Sequence, residues 1–276
     1  MALFGSFNYS KPGPGVDKEA PRKKRFFFFF ELYGRKFWKL VQLNLLFCLC
    51  CIPIVTIGPA IAGMTYILRN FAQERPVFMV SDFFDAVKSN FKQSFLFWLL
   101  DTLVTSVCTI SFVWYFVNAG LSWAMAIPLG FCILVEVMLM FMRFHAYLMM
   151  VTVDLPLQHI IKNSLIFAFL GLKTNLISLF FVLLIMVPAV WFFPVSVLPG
   201  ILLVFSTVGF IVVFNAYPYL VKYIIEPHER KVREEMGEDE EDEEEDEDDE
   251  PIFTDIGTQE VAVETQKKGG KQKIIR

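Results

Sequence analysis

Residues 95–117 read FLFWLLDTLVTSVCTISFVWYFV, an apolar run broken by a single charge at Asp101. A hydrocarbon layer of roughly 30 Å takes about 20 apolar residues of helix, so this stretch is long enough to cross a bilayer. Further runs flank it at Phe37–Ile52, Ile54–Leu68, Trp123–Met150, Leu176–Val187 and Val197–Val221. The resulting fold class is all-α: a polytopic transmembrane helical bundle of about six segments arranged as three hairpins. The first two runs are short for a crossing, which leaves them as either a tilted pair or a partly re-entrant hairpin.

Composition agrees. The chain is 55% hydrophobic and holds 31 Phe in 276 residues, more apolar surface than a soluble domain of this size covers. The connectors Pro53–Pro59, Asn118–Ser122 and Pro188–Pro199 hold no Lys or Arg, and the 25 basic residues fall in the tails, the other connectors or near the helix ends on that side. This asymmetry is what the positive-inside rule produces. It makes the chain an integral membrane protein with both termini cytoplasmic.

Three regions follow. Residues 1–36 form a disordered, basic cytoplasmic tail in which Arg22–Arg25 and Phe26–Phe30 make an interfacial anchor, cations on headgroups and rings below them. Residues 37–225 are the transmembrane domain. Residues 226–276 form a disordered acidic tail, with an unbroken acidic run from Glu238 to Glu250. Such a run is a solvated segment or a regulatory one that docks on basic surface. Of the 29 acids, 15 fall in residues 234–250, so the rest of the chain is net basic and suited to anionic headgroups.

The connector after Arg69 is read as a short helix capped by Ser81, with Phe83, Phe84, Val87 and Phe91 on one side, lying on the inner membrane surface. Each descending segment carries a small residue followed by Tyr, at Thr65-Tyr66, Ala146-Tyr147 and Ala216-Tyr217; either a weak internal repeat relates the hairpins, or Tyr simply recurs where membrane helices meet the interface.

Few residues carry chemistry. Asp101, Glu136 and Arg143 are ionisable groups inside apolar runs, each costing about 2.5–3.5 kcal/mol at the bilayer centre, so each must face protein or water. Antiparallel depth pairs Asp101 with Arg143 and leaves Glu136 near mid-membrane. They form either a polar path for a solute or proton or a structural pair locking two helices. Pro53, Thr56, Gly58 and Pro59 are a candidate hairpin break, because freed backbone groups at that depth need partners. Asn118, Ser122, Trp123, Trp191 and Ser196 sit at the outer turns, where sugar contact or an aromatic belt accounts for them. His145 and His159 are assigned to the interface. The five cysteines lie in apolar segments without zinc spacing, giving no metal, no disulfide and no cofactor. No nucleophile triad or nucleotide fingerprint appears, so no enzyme is expected, and nucleic acid is not an expected partner.

Asn44-Leu45-Leu46, Pro53 through Ala60, Asp82-Phe83-Phe84 with Asn90-Phe91-Lys92-Gln93, and Lys162-Asn163-Ser164 together resemble the YesL-like family of bacterial membrane proteins, a family of unknown function. The resemblance spans about residues 37–225. It implies a carbohydrate-uptake setting and, besides the lipid bilayer, membrane subunits of a sugar transporter or a cytoplasmic regulator as partners. The expected function is an accessory or regulatory component of carbohydrate uptake; the alternative is a small-solute transporter or channel in its own right.

Overall fold

The computed structural model describes residues 25–118 and 123–236. The expected disordered N-terminal tail before residue 25, the turn at 119–122 and the acidic run lie outside the described residues. Two units are distinguished, ending at Arg35 and starting at Lys36. In the first, the opening turns of α1 (Arg25–Cys50) bring Phe26 and Phe30 edge to face at 4.9 Å and stack Phe29 on Tyr33 at 6.0 Å. Phe26, Phe27 and Phe30 are exposed. Residues 25–36, assigned to a disordered tail, are helical: no proline interrupts them, and the helix continues through Gly34.

The second unit is all helix, with no sheet among the described residues: the rest of α1, α2 (Ile57–Ala72), α3 (Met79–Ser89), α4 (Phe91–Asn118), α5 (Ala126–Thr152), α6 (Leu157–Leu170), α7 (Leu172–Trp191), α8 (Val197–Pro199), α9 (Phe205–Leu220) and α10 (Glu226–Met236). π-helical turns at Gly200–Val204 and Val221–Ile225 join α8, α9 and α10 into one run. Among the described residues, four stretches are long and apolar enough to cross a membrane: Phe91–Asn118, Trp123–Thr152, Leu172–Trp191 and Val197–Glu234. Their lengths and their uncovered Leu, Val, Ile and Phe side chains suit a membrane protein. α1 and α2 are not among the four.

α2 is the hub. It packs against α3, α4, α5 and α9, and most of its residues are buried, from Gly58 to Phe71. With 16 residues it is about 24 Å long. It also runs obliquely to its neighbours. Gln93 and Phe97 of α4 meet Leu155 and Tyr147 across the base of the α4–α5 pair. A Cβ at Gly58 would lie 2.6 Å from the Ser94 carbonyl oxygen, while Arg69, about 16 Å further along α2, reaches Val151. Both ends touch the same end of one hairpin, so α2 crosses it instead of running beside it. Gly58, Gly63 and Gly209 permit these crossings: a Cβ at each would lie within 2.7 Å of a neighbour, Trp98 for the first, Val87 for the second and Leu68 for the third.

Other expectations change. Ser81 does not cap α3: the helix starts two residues earlier, and the Asp82 carboxylate accepts the Phe78 N–H at 2.9 Å while Ser81 bonds Asp85. α7 continues through Pro188, assigned to an outer connector, to Trp191. Residues 226–236, assigned to the disordered tail, form α10, with Glu226 and Glu229 in its first turn and Arg233 in its last, the order the helix dipole favours. α2 ends in a Schellman motif, Arg75 N–H to Asn70 O and Glu74 N–H to Phe71 O, which holds Glu74 at φ 57°. The helices carrying the small-residue–Tyr pairs, α2, α5 and α9, pack mutually, and α4 and α7 flank α5 and α9. The oblique course of α2 breaks their equivalence.

Gly58→Ala tests the hub. The Ser94 backbone cannot swing aside as a side-chain tip would, so the substitution should destabilise by about 1–3 kcal/mol. Thermal unfolding in detergent should show a lower Tm, and an unchanged Tm would mean α2 does not approach α4 this closely.

Candidate functional site

α4 and α5 pack antiparallel, and their shared seam collects the intramembrane polar residues. Arg143 Nε lies 2.8 and 2.7 Å from the two Asp101 oxygens, and Arg143 Nη2 donates to the Thr105 hydroxyl. The side chains are 11% exposed for Asp101 and 29% for Arg143. Asp101, Thr105 and Thr109 recur every fourth residue, one stripe on α4. Thr109 donates to Glu136 Oε1 at 3.5 Å, a long contact. Glu136 stands two helical turns from Arg143 on α5 and is half-buried. Further along, Val107, Cys108, Ser111 and Tyr115 face Pro128, Phe131, Cys132 and Val135 across an open groove of about 310 Å³. The Ser111 hydroxyl donates to the Val107 carbonyl of its own helix.

The chemistry available is charge pairing. Two N–H groups on the Asp101–Thr105 edge and a near-equidistant carboxylate make a charge-assisted pair, which is what allows both ions to sit in an apolar environment. Asp101, Arg143 and Glu136 thus share one seam, but only the first two are joined. The cysteines are free thiols, Cys132 buried and the other four half-buried. No group of three or more His, Cys, Asp or Glu among the described residues is placed to hold a metal.

The candidate break is a separate device. The Thr56 hydroxyl lies 2.5 Å from Cys50 O and 2.6 Å from Pro53 O, so one proton serves the end of α1 and the turn after Pro53. Pro59 occupies the first turn of α2, where its missing N–H costs no intrahelical bond. These four residues close a turn and admit a close crossing; they do not join the seam.

Sequence reading missed two polar clamps and misplaced a third residue. Arg69, taken as a boundary cation, is 2% exposed. Its Nη1 donates to Val151 O at 2.5 Å and to Thr152 Oγ1 at 3.3 Å, its other nitrogens reach Asn70 Oδ1, and its guanidinium lies 4.6 Å from the Tyr66 ring centre. A cation on the last carbonyls of α5 complements the negative end of that helix. The signal was present as Tyr66, Arg69 and Asn70 on one helical face. Asn44 is fully buried: its Nδ2 donates to Gly200 O at 2.9 Å and Ile201 O at 2.6 Å, and its Oδ1 accepts the Ser206 N–H at 2.7 Å. His145 is covered by protein. It is 1% exposed, packed 5.7 Å from Phe167, with Nδ1 3.1 Å from Phe141 O. α6 folds back over it, which periodicity in α5 alone does not reveal. His159, Trp123 and Trp191 are exposed.

A family model described as a protein of unknown function, DUF624, matches residues 40–112. That stretch holds Asn44, the break, α2, α3 and α4 as far as Phe112, with Asp101, Thr105 and Thr109. It is a similarity to a domain of unknown function that covers the region of the hub and none of the second half of the chain. No curated protein matches, and no solved structure matches.

The pair is testable as a unit. Arg143→Leu leaves Asp101 without its cation and should destabilise by about 3–5 kcal/mol, whereas Asp101→Leu with Arg143→Leu should recover most of the loss. Unfolding of the two variants side by side in detergent reads the difference; equal losses would mean that the pair is not coupled.

Proposed function

We propose that the protein is a multi-pass component of the cell inner membrane, with both termini cytoplasmic, that acts as an accessory or regulatory subunit in carbohydrate uptake and not as an enzyme. The observation that carries the accessory reading is how little of α4–α5 the rest of the chain covers. Beyond Asp101 and Arg143 the pair presents Leu103, Val107, Ile110, Phe131 and Leu134 outward, and its cavity is an open groove instead of an enclosed passage. A helix pair exposed in this way offers a lateral surface to other membrane helices. The carbohydrate setting is supported only by the resemblance of the sequence to the YesL-like family. Both the six-segment and the four-span counts are even, so either keeps the two termini on one side, and the basic residues favour the cytoplasmic side.

A small-solute transporter is the second reading. The stripe Asp101–Thr105–Thr109 with Glu136 favours it, because polar residues aligned along a membrane helix mark solute paths.

Purified protein in liposomes separates the two. An accessory subunit shows no sugar flux alone, while deletion of its gene lowers sugar uptake by cells that retain the transporter. Flux from the protein by itself would replace the first reading with the second. A reporter fused after Asn118 should lie outside the cytoplasm; cytoplasmic activity there would overturn the orientation.

A further inference from the structure

Glu136 lies near the middle of the apolar stretch Trp123–Thr152. Four other charged or titratable groups stand on α4 and α5 besides cysteines and tyrosines, and each is placed elsewhere. Lys92 is at the start of α4. Asp101 and Arg143 hold each other, with Thr105 completing the guanidinium contacts. His145 is buried against Phe167 with a ring nitrogen on Phe141 O. From the elements packed on the hairpin, Arg69 of α2 is engaged at Val151 and Thr152. Glu136 keeps the Thr109 hydroxyl at 3.5 Å and is half-buried, beside a groove that, among the described residues, α4 and α5 line. Beside it the apolar groove between Val107 and Val135 runs toward Phe131.

The seam therefore carries one carboxylate in excess of its cations, in the part of the hairpin least covered by protein. Against lipid an ionised carboxylate is costly. A neighbouring helix that brings a cation to it removes the cost and gains a directional contact, and the aliphatic stem of a lysine or arginine fits the apolar groove alongside.

We infer that the α4–α5 flank at Glu136 is a docking site for a transmembrane helix of another protein that carries one basic side chain near its centre. This rests on the accessory reading above and names the chemistry of its partner. Charge complementarity selects such a helix over a second copy of this chain, whose intramembrane cation, Arg143, is already held by Asp101.

The test uses full-length protein in lipid vesicles, labelled for energy transfer, and three synthetic transmembrane peptides of Leu and Ala that differ only in a central Lys, Leu or Glu. The Lys peptide should associate about tenfold more tightly than the Leu peptide, and the Glu peptide no better than the Leu peptide. Glu136→Gln should abolish the Lys preference while leaving thermal unfolding unchanged, and Glu136→Asp should keep part of it. Equal association of the Lys and Leu peptides, or a Lys preference that survives Glu136→Gln, would overturn the inference. So would self-association in vesicles that Glu136→Gln abolishes, since that assigns the flank to a second copy. A Lys preference together with unaltered sugar uptake after gene deletion would leave the docking site standing and remove the carbohydrate setting.

Discussion

An apolar environment offers no water to a broken helix, so each backbone group released by a kink or an end must find its partner inside the protein. This constraint explains where the polar side chains of the core are spent. The π-helical turn Gly200–Val204 inserts an extra residue and loosens the helical ladder; Asn44, from another helix, donates to Gly200 and Ile201 and accepts from Ser206. Asn175 donates to the Phe167 and Ala168 carbonyls at the end of α6. Gln93 reaches Leu155 O just past α5, and Thr56 closes the turn after α1. A single amide at position 44 answers three groups, so its loss exposes all three at once, each at about 1–3 kcal/mol if left unmet.

The same constraint places α2. A helix too short to cross the bilayer cannot leave its two ends in lipid, because each end carries four unsatisfied groups. Burial among four neighbours solves the problem only if those neighbours come close. Small residues at Gly58, Gly63 and Gly209 let them, and the Arg69 guanidinium then serves the end of α5 as well as its own helix. The centre of the molecule is thus held by close packing at glycines together with side chains that cap their neighbours' ends, which is how helices associate where no hydrophobic force separates protein from solvent.

Much of this was legible beforehand, for physical reasons that also mark the limit. Apolar runs report length, so α4, α5, α7 and the α8–α9 run stood out. Antiparallel depth is simple arithmetic, so Asp101 and Arg143 could be placed together; the residues at Pro53, Thr56, Gly58 and Pro59 announced a break through their backbone restrictions. The oblique course of α2 was not legible, since hydrophobicity gives a segment's solvent preference and not its direction. For the same reason the burial of His145 was not legible: it depends on α6 folding back, a tertiary fact. Asn44 and Arg69 were visible as residues but not as clamps, because the carbonyls they serve lie 156 and 82 positions away in the chain. Ser81 resembled a cap by type, yet the helix began earlier and Asp82 took the free N–H.

Two carboxylates on one hairpin show why residue type alone does not assign a role. Asp101 lies at the end of the hairpin embedded in the rest of the unit, faces a guanidinium that approaches both its oxygens, and is nearly covered. Its charge is matched locally, and its consequence is that α4 and α5 cannot slip by a turn without separating two ions. Glu136 has the same chemistry where the hairpin stands apart from the other helices, with one hydroxyl at long range. The hairpin gives it the Thr109 hydroxyl at 3.5 Å and no cation, and the groove beside it is lined mostly by Cys, Val and Phe side chains. A carboxylate without a cation of its own, at a depth where charge costs the most, is the group that a basic helix from outside the hairpin would satisfy.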